Sequence, residues 1–544
     1  MNRTIRLIPA AMVLVLALAT AFWAGCGKNS TAPPPPPPGV IDVTAIIVNP
    51  LSPAPGQTAI LTAQAEGSGD PATYEWSVSG GTIADNGKIT VTWNVPDTSK
   101  VYRIIVRGAT GTSSDVDTSY VLARNYEAID TGLKYSLYPQ ILDGQLYYTG
   151  TSTNPTDRSF LGYHVYSFLF PTTPIDKLAS TPPTINGGYE CTFFPDGVLT
   201  ASITDGADYI RLQPTNVFFF PLVAGQKKSI SNNEFVGTTF RKDQNIHPSA
   251  SSDLGMYVWQ YIKVGQSDDG TQDLVNIRFR AVAAIQQLTT SEDSVFQYGA
   301  WSYTYYRNIK PMFAPHDDAI IYFVDSTETF EPCIIPMSGI EPQTDLRHAL
   351  MVDGRHGIFY YAQVKVSERT IFQWNPAVPT QVAFIDDSGK LCRFDYAAGT
   401  VEVLGTGVQE FAWSDDGKIA GATEDGVYVL EPGQTVATQV FAKERPSDGV
   451  IGVNWSRGTE DERIGFRLVR KGASPAESFS ALVIYSVDDG RWYFGTGRIG
   501  PPMSTEPEVS YTWMRVVFDR FSSSVYMPVP ITGSGGQVTL YRSY

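Results

Sequence analysis

The segment "FAWSDDGKIAGATEDGVYVLEPG", residues 411–433, reads as strand, tight turn, strand, turn, strand. An Asp immediately before a Gly is what a hairpin turn demands, because the turn needs left-handed backbone that Gly adopts without strain. The same order recurs in "FFPDGVLTASITDGADYIRL" (193–212), "MFAPHDDAIIYFVDS" (from 312), "VNWSRGTEDERIGFRLV" (from 453) and "LYPQILDGQLYYTGT" (from 137). Looser copies start near Ile246 and Val509. "VAFIDDSGKLCRFDYAAGTVEVL" (382–404) supplies the later strands of another copy, whose opening the sequence does not place between 350 and 375. A lone four-stranded sheet cannot bury both of its faces, so such units stack side by side. Eight openings over residues 125–544 give about 52 residues per unit, just above the usual ~40–50 of such repeats. The expectation is an all-β chain whose 125–544 region is a β-propeller, with eight blades favoured and seven the alternative. The tail "QVTLYRSY" reads as a third strand with no fourth after it. Residues near 125–133 are therefore expected to supply the outer strand of the last blade.

Trp413-Ser414-Asp415-Asp416-Gly417 and Phe194-Pro195-Asp196-Gly197, each followed by an apolar strand, resemble the WD40-like repeats of TolB-type β-propellers. The resemblance implies a scaffold that docks proteins or peptides.

Upstream, residues 41–124 alternate strictly. In "KITVTWNVP" Ile89, Val91, Trp93 and Val95 share one side. Tyr74, Trp76 and Val78 do so in "TYEWSV", and Tyr102, Ile104 and Val106 in "VYRIIVRG". Period-two alternation marks half-buried strands, and turn signals at Pro55-Gly56, Gly80-Gly81, Asn86-Gly87 and Pro96-Asp97 separate them. Several short strands in so little chain suggest a β-sandwich. Pro55-Gly56-Gln57, Tyr74-Glu75-Trp76 and Val91-Thr92-Trp93 resemble the immunoglobulin-like and PKD-like modules of bacterial surface proteins. Ser77-Val78-Ser79-Gly80-Gly81 stands where the PKD pattern has Asp and Gly-Asp-Gly, so the wider Ig-like class is the one implied. Such modules are mostly spacers and occasionally glycan binders.

Residues 1–25 have a basic start, an apolar middle and a small-residue end, the pattern of a secretory signal; the apolar run is also long enough to be an uncleaved anchor. Trp23-Ala24-Gly25-Cys26 resembles the lipobox of bacterial lipoproteins, with Trp23 where an aliphatic residue is usual. The resemblance implies acylation at Cys26, and Gly27 in place of Asp implies the outer membrane. Residues 26–40 then form a tether: Pro33 through Pro38 make an extended post of roughly 19 Å at about 3.1 Å per residue.

The chain has 40 basic and 55 acidic residues, a net charge of −15. Nucleic-acid binding needs a basic footprint, and composition supplies none. Three cysteines remain besides Cys26: Cys191, Cys333 and Cys392. They permit one disulfide and no zinc pattern.

Asp-rich turns at 268–270, 386–389, 415–417 and 488–490 lack the alternate oxygens and closing Glu of a calcium loop, so they are read as hairpin turns. No GxSxG elbow, phosphate loop or dinucleotide fingerprint is present, and neither cofactor nor metal is expected. His247 in "IHPS" and His316 in "APHDD" are candidates to face the ring's opening as ligands or bases; the alternative is turn filling. In "FQYGAWSYTYYRNIKPMF" (296–313), read as one strand, Trp301, Tyr303 and Tyr305 share a face, with Phe296, Tyr298 and Tyr306 on the other. That face is either packing between blades or a stacking platform for sugar rings or a peptide. The functional expectation is a lipid-anchored outer-membrane protein that binds another envelope protein or a peptide. Surface glycan binding is the alternative, and a propeller lyase or hydrolase a further one.

Overall fold

In this computed structural model, the structure describes residues 40–68, 72–129, 132–142 and 144–152, then mainly strands between 164 and 360, then 372–544 apart from 387, 396, 459–460, 475–476, 501, 503–513 and 532–536. Cys26, the signal and the proline run lie outside the described residues, as does His316.

Every regular element described is a strand. The N-terminal strands form two antiparallel sheets. One orders Val40–Asn49, Thr58–Ser68, Thr90–Asn94 and Thr82–Ala84. The other orders Thr73–Val78, Val101–Ala109 and Ser114–Leu122. The two share one apolar core in which Trp76, Trp93, Tyr102, Ile104 and Val106 are buried. Trp93 and Tyr102 meet edge-on at 5.5 Å. Each indole N–H in this core finds a carbonyl, Trp76 on Lys88 (2.8 Å) and Trp93 on Gly80 (3.0 Å), so neither ring leaves a buried donor unmade. The alternation read from sequence holds at Val91, Trp93 and Val95 but not at Ile89, which is 45% exposed. Ile89 precedes the strand that starts at Thr90. Its carbonyl still accepts from the Ala63 N–H, but its side chain has left the pleat.

Beyond Leu122 the described strands form antiparallel meanders, within each of which strand order equals sequence order. Six four-stranded sheets span 185–229, 244–287, 307–360, 373–406, 410–442 and 449–494. An eight-stranded sheet joins the four strands of 135–176 to the last three, Val517–Phe518, Val525–Ile531 and Gln537–Ser543. The short strand Tyr126–Ala128 completes it, pairing antiparallel with Gln537–Ser543 as the sequence led us to expect; Val538 also pairs in parallel with Tyr135. The opening that could not be placed between 350 and 375 is the two-residue strand Gln373–Trp374.

The cores lie between successive sheets. Tyr147 and Val165 pack on Val198, Phe218 and Phe220. Leu199, Val217 and Phe219 pack on Tyr257 and Trp259. Ala383 and Leu391 meet Phe411 and Trp413. Val427 and Phe441 meet Trp455 and Phe466. Leu482 and Ile484 meet Val525 and Met527. Leu146 and Tyr148 meet Tyr526 and Leu540, so the last strands pack on the first. This serial, face-to-face stacking of four-stranded meanders is the architecture of a propeller scaffold. Burying one tryptophan removes about 150–250 Å² from water, worth about 4–6 kcal/mol. The fully buried Trp259, Trp413 and Trp455 are thus major anchors of the stack.

The described Asp-rich turns are hairpin turns. Asp386 Oδ1 accepts from the Ser388 and Lys390 N–H groups, and Gly389, Gly417 and Gly490 all have positive φ. The 268–270 turn lies outside the described residues.

Candidate functional site

The first strand of a unit carries a recurring defect. In Tyr135–Leu142 the pair Tyr138-Pro139 opposes the single residue Tyr148. His247-Pro248 opposes Trp259, Lys310-Pro311 opposes Tyr322, and Gly452-Val453 opposes Phe466. Each is a β-bulge, which bends a strand and re-aims its side chains. In the first three the second bulge residue is Pro, which has no N–H to leave unpaired. The register therefore places His247 with Tyr138 and Lys310, inside a strand.

The Gly452 bulge keeps both N–H groups, and a carboxylate from the adjacent sheet takes them. Glu410 Oε2 accepts from Gly452 N (2.7 Å) and Val453 N (3.2 Å). Gly452 has φ +74°, and a Cβ there would lie 2.4 Å from the Met514 carbonyl oxygen. The Gly452 carbonyl in turn accepts from Val516 N. The openings of four successive units are thus stitched together. The Trp455 indole donates to Ala412 O, the Trp413 indole to Gln373 O, and Asn454 Nδ2 to Val516 O, all at 2.9–3.0 Å.

At the ends of these strands opens a cleft of about 600 Å³. Tyr138, Ile141 and Leu142 form one wall; Trp455, Val517 and Phe518 contribute apolar surface; Arg457, Arg515 and Arg520 supply charge. Asp415 and Gly458 close the rim through an N–H to Oδ2 bond of 2.8 Å. Tyr138 sits at φ +49°, backbone that a bulky side chain rarely adopts and that clusters at functional sites.

The electrostatics are lopsided. Arg515 lines the cleft, yet its charge lies deep; burial pulls its guanidinium down to about 10, Arg457 adds to the lowering and Glu410 opposes it. One Arg515 Nη donates to Phe411 O at 2.8 Å. Arg457 reaches Trp413 O at 3.4 Å, and Arg520 lies 4.6 Å from the centre of the Phe521 ring. Behind them Glu410 is buried. Burial pushes its carboxyl up to about 7, against Arg515, the two bulge N–H groups and Arg467. Three guanidiniums against Asp415, with Glu410 buried behind them, make a cationic hollow in a chain of net charge −15. A second hollow of about 490 Å³, between 389–408 and 419–437, is lined mainly by glycines and uncharged side chains, with Glu424 and Asp425 as its charged groups, and gathers no cation.

Sequence reading missed Arg457, Arg515, Arg520 and Glu410. A signal was present: Trp413-Ser414-Asp415, Trp455-Ser456-Arg457 and Phe518-Asp519-Arg520 place the third residue at one equivalent rim position in successive units. The aromatic stretch 296–313 is three strands rather than one. Glu292–Gln297 and Ala300–Tyr305 form a two-stranded sheet with Phe296 opposite Trp301, and Arg307–Phe313 opens the next unit. Trp301, Tyr303 and Tyr305 alternate along this extra hairpin; their side chains, like that of His247, lie outside the described residues. No metal-holding group of His, Cys, Asp and Glu occurs among the described residues. Cys392 is a buried free thiol.

No family model and no curated protein matches the chain. Among solved structures it is similar to an oligogalacturonate lyase in complex with manganese (9% identity, 90% of this chain and 98% of that one, TM-score 0.39). It is also similar to an oligogalacturonate lyase from Vibrio parahaemolyticus (8%, 77% and 96%, 0.39) and to a protein assigned as TolB from Agrobacterium tumefaciens (12%, 54% and 84%, 0.29). Likenesses this weak carry no argument for activity, ligand or partner.

Proposed function

We propose that this chain is a binding protein of the bacterial envelope, whose propeller docks another envelope protein or a peptide at the arginine-lined cleft. Acylated Cys26 and the proline run tether it to the outer membrane. The two N-terminal sheets, as an Ig-like spacer, hold the propeller away from the lipid. The meanders are eight TolB-like blades, and Tyr126–Ala128 is the outer strand that closes the last. Supporting the count are seven four-strand meanders in sequence order followed by a three-strand tail that borrows its fourth strand.

The observation that carries the docking reading is the cleft itself. It gathers charged side chains from separate units, Asp415, Arg457 and Arg520, beside apolar walls. Clefts with a few convergent polar groups on apolar walls are where ligands bind.

The test is site-specific photocrosslinking in cells, with the crosslinker at Arg520 in the cleft or at exposed Val436 away from it. A discrete envelope-protein adduct from position 520 alone, lost when Cys26→Ala releases the tether, is the expected result. Identical adducts from both positions, or none from 520, contradict the reading.

A further inference from the structure

We infer that the cleft takes an acidic, partly apolar peptide segment of its partner, with Arg457 and Arg520 receiving carboxylates at the rim and Arg515 one at the floor. This rests on the docking reading above and names the chemistry of what docks.

The argument starts from donors and acceptors. A guanidinium carries five N–H donors and no acceptor, in a fork that matches a carboxylate. Three of them line one cleft. Each spends little of that capacity internally: Arg515 and Arg457 donate to single carbonyls, and Arg520 lies against an aromatic ring. The acceptors that could answer a ligand's hydroxyls are already engaged or few. Asp415 Oδ2 holds the Gly458 N–H, and the buried Glu410 Oε2 holds two bulge N–H groups. Asn454 spends its Nδ2 on Val516 O and keeps its Oδ1, and Gln140 adds one further side-chain amide, so neutral acceptors are few beside three guanidiniums. A neutral sugar, whose hydroxyls both donate and accept but carry no charge, leaves three guanidiniums without counter-charge. A ligand rich in anionic acceptors is well matched.

Beside Tyr138 and Gln140, Ile141, Leu142, Trp455, Val517 and Phe518 give the cleft apolar lining. That combination suits a peptide in which aliphatic and acidic residues alternate, and it argues against a small inorganic anion. Low-dielectric walls around like charges also focus the local field, so the cleft attracts anions despite the chain's overall acidity.

The probe is a fluorescein-labelled peptide of alternating leucine and glutamate, with its glutamine counterpart as control, read by fluorescence polarisation on the folded propeller. The glutamate peptide is expected to bind at least about tenfold tighter than the glutamine peptide. Arg457→Ala and Arg520→Ala are each expected to weaken it about tenfold, and raising ionic strength from about 0.05 to about 0.5 M to weaken it further. Both arginines are on the exposed rim, and Arg457→Lys and Arg520→Lys, which keep the charge but lose the fork, should fall between. Equal binding of the two peptides, or no effect of the alanine variants, overturns the inference. Saturable binding of a uronic-acid oligosaccharide with none of the peptide overturns it in favour of an acidic sugar. A crosslink from position 520 in cells, with no affinity for the acidic peptide, sinks this inference and leaves the docking reading intact. Peptide affinity without any crosslink sinks the docking reading and leaves the chemistry of the cleft.

Discussion

Glu410 is the residue whose replacement most sharply tests how the inner strands are held. Its carboxyl titrates at about 7 in the fold against 4.5 for the ordinary group, because burial outweighs Arg515 and the two bulge N–H groups. The unfolded chain therefore loses this proton above about pH 4.5 while the folded chain keeps it to about pH 7. Folding takes up a proton across that window, so stability falls as pH rises through it and levels off above. The shift is about 2.5 pH units, or about 3 kcal/mol. Glu410→Gln keeps a carbonyl oxygen for the Gly452 and Val453 N–H groups but cannot ionise. Its stability relative to wild type should rise by about 1.4 kcal/mol per pH unit from about pH 4.5 and reach a plateau near about 3 kcal/mol above pH 7. Urea unfolding followed by tryptophan fluorescence at half-unit steps of pH measures this directly, since every other titrating group cancels in the difference. A difference that is flat with pH, or that turns against the glutamine variant as pH rises, would show that the carboxylate is held ionised by Arg515. The reasoning would then be wrong.

Other expectations follow from the same stitching. Gly452→Ala places a Cβ 2.4 Å from Met514 O at a φ of +74°, and should destabilise by about 2 kcal/mol or more, read as a lowered urea midpoint. Trp455→Phe leaves the Ala412 carbonyl without its 3.0 Å donor and opens a small void; a loss of about 1–3 kcal/mol is expected, with the near-ultraviolet spectrum retained. Cys392 is 1% exposed, and burial pushes its thiol up to about 11, so it should resist alkylation at pH 8 until the protein unfolds.

What the sequence disclosed is what local physics decides. Trp413-Ser414-Asp415-Asp416-Gly417 announces a strand and its turn because hairpin geometry needs those residues within a few positions. Ser414 shows this by bonding Asp416 and accepting the Lys418 N–H. Tyr102, Ile104 and Val106 announce a buried face because the strand period is two. Ile89 misled because the alternation begins in the letters before the strand starts at Thr90. The run 296–313 misled because unbroken aromatic residues hide a chain reversal between Gln297 and Ala300. In the sequence three of the bulges show only as the dipeptides Tyr138-Pro139, His247-Pro248 and Lys310-Pro311. The cleft was hardest to see. Tyr138, Arg457 and Arg520 meet only when the last strands pack on the first, and no window of sequence contains that event. The one available clue, an arginine following Trp455-Ser456 and Phe518-Asp519, emerges only once the units are aligned in register.

The joining of chain ends is therefore the claim on which both the ring and its cleft depend, and a crosslink tests it most directly. Glu127 and Arg542 are cross-strand partners and their side chains lie 3.7 Å apart on one face. Antiparallel neighbours at such positions have Cα separations of about 4.5–5.5 Å, within reach of a disulfide. The double variant Glu127→Cys/Arg542→Cys, oxidised in dilute folded protein, should form an intramolecular disulfide that maps to those two positions by mass spectrometry. Two thiols that stay open to alkylation, or that bridge only between molecules, would mean that Tyr126–Ala128 does not lie on the C-terminal strand and that the ring is not closed there.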